Sequence, residues 1–454
     1  MRRLHVLLVV LAVAAGACTS ESKPTSTVSQ PEPTASAPST TVADTAPSSD
    51  PTTTTAPGPT TTTLPAGTED LSPELRREFA ELVAVTEDLR ELSFLDGVRF
   101  RVTDDAGMET YVRALFDDEI EDVPVDDALY TMLGLLGPDD ELLSIVTDFY
   151  GEVVIGVYDD DAREMVVTVS GGELSVNERA TIVHELVHAL TDQHFESGRY
   201  LDGLVEAQRY DEAAAYLAVM EGDATLVMSE YIQGLPVADQ LAWVEEASQV
   251  DPGAFDDTPL FIREDLFFRY ERGLAFVQRL DDLGGREEVG RAYVDPPVST
   301  EQILTPRDYR RDLPLDVDLE PIELTGYDVE YDSTWGELGF ALMFEQVLGG
   351  RDDASDGWGG DRFIAWFDGA DVAFALRYRG DRERDAEEMY EALVDYAAEA
   401  MSVELDPDPA LGDDTARFVG DDFAFVARTG DTVVFLAASD PTVGPALVAS
   451  YAAG

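Results

Sequence analysis

The stretch "SVNERATIVHELVHALTDQHFESG", residues 175–198, holds three of the four histidines in the chain. Ser175 and Glu178 are spaced as a capping box, apolar residues then recur at helical intervals, and Gly198 is the first strong stop. One helix therefore carries His184, Glu185, His188 and His194. Positions four apart share a helix face, so His184 and His188 can offer ring nitrogens to one ion while Glu185 points into the same cleft. This is the physical content of an HExxH motif, and Zn2+ is the expected metal. The preceding run, "EVVIGVYDDDAREMVVTV" (residues 152–169), reads as a β-hairpin around a polar turn.

The third ligand has two candidates. His194 lies six residues after His188, the spacing of HExxHxxGxxH in metzincins, where a glycine ends the helix and turns the chain back toward the ion. Here that position is Thr191, a β-branched residue that resists positive φ. If the helix continues, six residues at about 100° each rotate His194 about 120° away from His188 and carry it about 9 Å along the axis. The competitor stands on the next helix, "YDEAAAYLAVMEGDATLVMSEYIQ" (residues 210–233). There Leu217, Ala224, Met228 and Tyr231 form an apolar stripe that includes Glu221, and Gly222 would let the two helices approach closely. A carboxylate on a buried face needs a compensating charge, which a metal held by two histidines supplies. The reading favours Glu221 as third ligand, with His194 as the alternative, and takes Glu212 as solvated.

Outward from these helices, 454 residues with 44% hydrophobic content suffice for a large core. A formal charge of −63 argues against binding nucleic acid or an anionic membrane surface, both of which need clustered Lys and Arg. Residues 1–17, with Arg2 and Arg3 before an apolar run, read as an export signal peptide. Cys18, the only cysteine, resembles the lipid-modified cysteine of bacterial lipoproteins, although Ala15 stands where those signals usually have Leu. Residues 18–67, almost all Thr, Ser, Pro and Ala, have nothing to bury and read as a disordered tether. The location expected is therefore extracytoplasmic, on a membrane lipid anchor.

Folding is expected to begin where Ser72 caps a helix with Pro73 at its first position. Residues 68–325 then form a region around the histidine helix. Residues 326–454 read as a helix near 333–348 followed by a β-β-α-β-β-α layer, either separate or part of the same fold, which makes the class α+β. "GWGGDRF" (357–363) reads as a Gly-rich turn and "DDEIEDVPVDD" (117–127) as a solvated acidic face.

The set "HELVHALTDQHF", "EGDA", "STEQILTPRDY" and "GWGGDR" resembles a group of poorly characterised exported bacterial proteins identified as zincins of gluzincin type. Similarity extends over about residues 95–400 and departs at Thr305, where similar proteins often have histidine. The resemblance implies a zincin-like core of hairpin, HExxH helix and second ligand helix, with His184, His188 and Glu221 as zinc ligands. Glu185 would be the general base for the metal-activated water, passing its proton to the leaving amine. Thermolysin-like enzymes have an acid four residues after the third ligand; that position here is Thr225, so Asp192 is expected to orient a ligand histidine instead. Tyr309 and Arg307 are the best candidates for stabilising the oxyanion, along with Tyr200 and Tyr210, and Tyr309 is the one carried forward. The substrate would be a peptide lying along the hairpin's edge strand. The implied function is a membrane-tethered zinc peptidase; the alternative is a non-catalytic envelope lipoprotein that uses the same cleft or metal for binding or stability.

Overall fold

A computed structural model describes residues 66–69, 71–117, 123–169, 173–248, 258–406 and 411–452. The export signal, Cys18 and nearly all of the Thr/Ser/Pro-rich tether lie outside the described residues. Among the described residues no helix is long and apolar enough to cross a membrane.

The chain from Leu64 onward forms one α+β unit built on two sheets. The first has three strands, β1 (Arg99–Thr103), β2 (Gly156–Asp159) and β3 (Glu164–Thr168), in the order β1-β3-β2. β1 runs parallel to β3 and β2 antiparallel to it, so β2 is an edge strand. Alternation along β3 decides what each face covers. Met165 and Val167 face α1 (Pro73–Arg90) and α5 (Val176–Phe195), while Val166 faces Val112 and Val146, from α2 (Asp105–Asp117) and α4 (Leu142–Val153). The expected hairpin is present but shorter at its start, because Glu152 and Val153 complete α4.

Helix α1 starts as its sequence dictates, with Ser72 Oγ accepting from Leu75 N and Pro73 at the first position. Helix α5 has both halves of the capping box, Ser175 Oγ to Glu178 N and Glu178 Oε2 to Ser175 N. It ends earlier than Gly198: Glu196 takes the left-handed conformation (φ 52°), and α6 (Ser197–Glu206) begins at once. Gly198 sits inside α6, where a Cβ would fall 1.8 Å from Asp160 Oδ2. The glycine admits the hairpin turn to the helix and does not terminate one.

Helix α7 (Tyr210–Gly234) lies between α5 and α9 (Leu260–Val294), with α8 (Val237–Ala247) between them in the chain. Gly222 of α7 faces Gly273 of α9, where a Cβ would stand 2.3 Å from the Gly273 carbonyl oxygen. The close approach expected at Gly222 is therefore with α9, not with the histidine helix. Short helix α10 (Thr300–Leu304) follows.

The second sheet is antiparallel throughout, in the order β4-β5-β6-β10-β9-β8-β7. Its strands are β4 (Asp328–Ser333), β5 (Trp358–Phe367), β6 (Val372–Gly380), β7 (Val403–Leu405), β8 (Thr415–Gly420), β9 (Phe423–Thr429) and β10 (Thr432–Ala438). Strands β5, β6, β9 and β10 are those read from the sequence, and the edges β4 and β7, with β8 beside β7, are additional. "GWGGDRF" is not a turn: Trp358 onward is strand β5. Phe363, Phe374 and Phe435 pack on α3 (Val123–Met132), α11 (Gly336–Leu348) and α12 (Glu383–Ala400), while Ile364, Trp366 and Leu436 pack on Leu319 and α13 (Gly444–Tyr451). Since α3 precedes the histidine helix and contributes Leu129 and Met132, this core crosses the boundary at residue 325.

Candidate metal centre

Helices α5 and α7 bring His184, His188 and Glu221 together in the interior. Glu221 Oε2 stands 3.1 Å from His184 Nε2 and 3.7 Å from His188 Nε2. Ligands bound about 2.0–2.2 Å from a tetrahedral ion are separated by about 3.3–3.6 Å, and the two distances from Glu221 lie within a few tenths of an ångström of that range. His188 Nε2 has no hydrogen-bond partner among the described residues, although it is buried. Such an orphaned acceptor is what an ion would satisfy. His184, Glu185 and His188 also offer ligand-type atoms within 4.8 Å of one another. Glu185 is already engaged, however, because its Oε2 accepts from the Tyr158 amide of strand β2 at 2.7 Å.

The two carboxyls are held in opposite protonation states. Burial pushes Glu185 up to about 8, reinforced by Glu221 and only partly opposed by His188 and the Tyr158 amide. Burial would also raise Glu221, but the nearby His188 and the hydrogen bond with His184 outweigh it and hold the carboxyl down at about 2. Burial lowers His184; for His188 the Glu221 carboxylate overcomes burial and raises it. Glu221 is thus a permanent anion at neutral pH and Glu185 a proton carrier, the division of labour that marks acid–base sites. All four groups are secluded, with His184 and Glu185 0% exposed and His188 and Glu221 1%.

Beneath the site lies a network that the sequence reading did not include. Asp223 is fully buried and accepts at Oδ2 from Arg90 Nε (2.8 Å) and Tyr293 OH (3.0 Å). Its charge acts on both histidines. The "EGDA" motif now has a physical content: the carboxylate that meets the histidines, the glycine of the helix crossing, and the anion that anchors Arg90. The available signal was Arg90, at the last turn of α1 and on its buried face, where an arginine demands a partner.

Three expectations are corrected. Asp192 bonds neither histidine; its Oδ2 accepts from Tyr158 OH at 3.1 Å and thereby fastens the edge strand to α5. Among the described residues both histidine Nδ1 atoms lack a hydrogen-bond partner. Tyr309 is a packing residue: its ring stands edge-on to Phe276 at 5.1 Å and its hydroxyl donates to the Asp295 carbonyl. Glu212 is buried beside Arg209. His194 Nε2 pairs with the Ser93 carbonyl at 2.8 Å and takes no part in the cluster. Thr191 Oγ1 donates to the Val187 carbonyl (2.9 Å) and the helix continues past it. The ring of Tyr270 on α9 stands 6.2 Å from the His184 ring.

A family described as "Domain of unknown function (DUF8575)" matches residues 324–447, which span β4 to the start of α13. No curated protein and no solved structure matches the chain.

Proposed function

We propose that His184, His188 and Glu221 hold a zinc ion and that the protein is a peptidase of gluzincin type, with a zincin-like core formed by β2, β3, α5 and α7. The observation that carries this reading is the placement of Glu221 Oε2 3.1 Å and 3.7 Å from the Nε2 atoms of His184 and His188, with the carboxyl of Glu185 beside the same histidines. A structural metal site needs ligands but no such acid. When bound, the ion would supply a Lewis acid at the scissile carbonyl and lower the pKa of attacking water. The Tyr158 amide holds Glu185 Oε2 and leaves Oε1 without a partner among the described residues, so Oε1 is the atom that takes a proton and returns it to the leaving amine. Strand β2 is the edge along which an extended peptide would pair, and its Tyr158 amide is the one Glu185 occupies. Export and a lipid anchor at Cys18 belong to the same proposal and would place this activity outside the cytoplasm.

A second reading is favoured by the complete burial of the four groups: a metal locked in the core of a non-catalytic envelope protein, present for stability. Zinc content and cleavage of a peptide library, measured on wild type and Glu185→Gln, separate the two. Peptidase activity predicts about one zinc in both proteins and a loss of about 10²–10⁴-fold in cleavage for the variant. One zinc with no cleavage by either protein leaves the second reading.

A further inference from the structure

We propose that Glu301, Asp312, Glu337 and Asp381 form a second metal site, specific for a hard divalent cation of the calcium class. Glu301, Asp312 and Asp381 present carboxylate oxygens within 4.8 Å of one another. Oxygens bound about 2.3–2.6 Å from Ca2+ are at most about 4.6–5.2 Å apart, so the group lies within the span of one such ion, and its donors are the all-oxygen set that calcium takes.

The independent sign of a ligand is Glu337. Only 8% of it is exposed, and its Oε2 is buried with no hydrogen-bond partner among the described residues. The Leu338 amide donates to Thr300 Oγ1 at 3.2 Å, which sets Glu337 beside Glu301, and Glu337 is foremost among the charges acting on Glu301. The further charges acting most on Glu301 are Asp312, Asp381 and Asp308, all carboxylates. A buried carboxylate without donor or cation is costly, and several facing one another compound the cost. Calcium takes six to eight oxygens; the half-buried Asp312 and exposed Asp381 open the group to solvent, which supplies both an entry path and the remaining water ligands.

The ligands come from four separate stretches: helix α10, the segment after it, the first turn of α11, and the turn between β6 and α12. The ion would therefore fasten the matched region 324–447 to the chain before it. Two motifs left unused by the histidine site converge here. "STEQIL" supplies Glu301, and its Gln302 side chain holds the Asp312 carbonyl. "GWGGDR" supplies Asp361, which accepts from the Trp335 and Gly336 amides at 2.8 and 2.9 Å and so sets the start of α11 beside Glu337.

The test is calorimetric titration of Ca2+ into the zinc-treated full chain at physiological salt, with thermal unfolding in parallel. One saturable site and a raised Tm are expected, at least about tenfold weaker in Asp381→Asn and Glu337→Gln. Glu81→Gln should bind as wild type, separating this site from the general acidity of the surface, and saturation of the protein with zinc beforehand separates it from the histidines. Absence of binding and of a Tm shift in wild type overturns the proposal, as does unchanged affinity in Asp381→Asn. Asp381 is exposed, so that variant decides the matter even if Glu337→Gln fails to fold.

Discussion

The histidine centre and the acidic cluster are both buried groups of ionisable side chains, but they balance charge differently. At the histidines each anion has a partner able to carry positive charge: Glu221 lies against His184 and His188, and Asp223 against Arg90. Around Glu301 and Glu337 the strongest neighbours are carboxylates. The first arrangement can exist without its metal by protonating an imidazole. The second has only protons or an added cation to relieve it. Their sensitivities should differ accordingly, and four experiments probe the difference.

The largest effect is expected at Arg90, only 1% exposed and paired with the fully buried Asp223. Arg90→Ala leaves an uncompensated charge in the core and should cost about 3–5 kcal/mol in chemical denaturation. Arg90→Ala/Asp223→Ala together should recover much of that loss. If the single variant loses less than about 1 kcal/mol, the histidine centre is not charge-balanced in the way described.

Gly222→Ala probes the same centre through packing. The added methyl would meet the Gly273 carbonyl and force α7 away from α9, at a cost of about 1–3 kcal/mol. Because Glu221 precedes this position, zinc affinity should fall with stability. Stability lost with zinc binding unchanged would show that the helix crossing does not set the ligand.

The acidic cluster is tested by pH. Burial, then neighbouring carboxylates, push Glu301 and Glu337 up to about 8 from 4.5. A group whose folded pKa is raised contributes stability that is whole below the unfolded value and is lost as pH climbs through the folded one. Stability in calcium-free buffer should therefore decline between about pH 4.5 and 8. Glu337→Gln should flatten that decline and raise Tm at pH 8 by roughly 2–4 °C. Saturating Ca2+ should flatten it in wild type. Identical slopes in both proteins would remove the contrast between the two clusters.

The histidine helix was the most legible part of the molecule, since capping box, periodicity and HExxH spacing are all local and agree with one another. Glu221 was readable because a carboxylate on an apolar stripe contradicts its surroundings. Strands β5, β6, β9 and β10 announced themselves by near-continuous apolar runs, being covered on both faces. The edge strands were not legible: β4 is "DVEYDS" and β7 three residues, too polar or too short to signal burial. Asp192 and Tyr309 were misplaced for a different reason. Their roles depend on which partner the tertiary fold delivers, Tyr158 in one case and the Asp295 carbonyl in the other. The acidic cluster is the extreme case, assembled from four segments whose separate sequences read as ordinary polar surface.

The smallest effect is expected at His194, and it bears on the ligand question directly. Six residues beyond His188 on a continuous helix, its ring meets the Ser93 carbonyl, at a partly exposed site. That hydrogen bond should contribute about 1 kcal/mol or less. His194→Ala should leave zinc stoichiometry and affinity unchanged, while Glu221→Ala should abolish stoichiometric binding even though both histidines remain. A three-histidine site would reverse these outcomes. Thr191→Gly refines the comparison: a glycine at this position relieves the steric bar to positive φ, but the hydrogen bonds of the surrounding helix still favour continuation. Zinc should therefore stay with Glu221 in that variant as well, and transfer of binding to His194 would show that Thr191 alone selects the ligand.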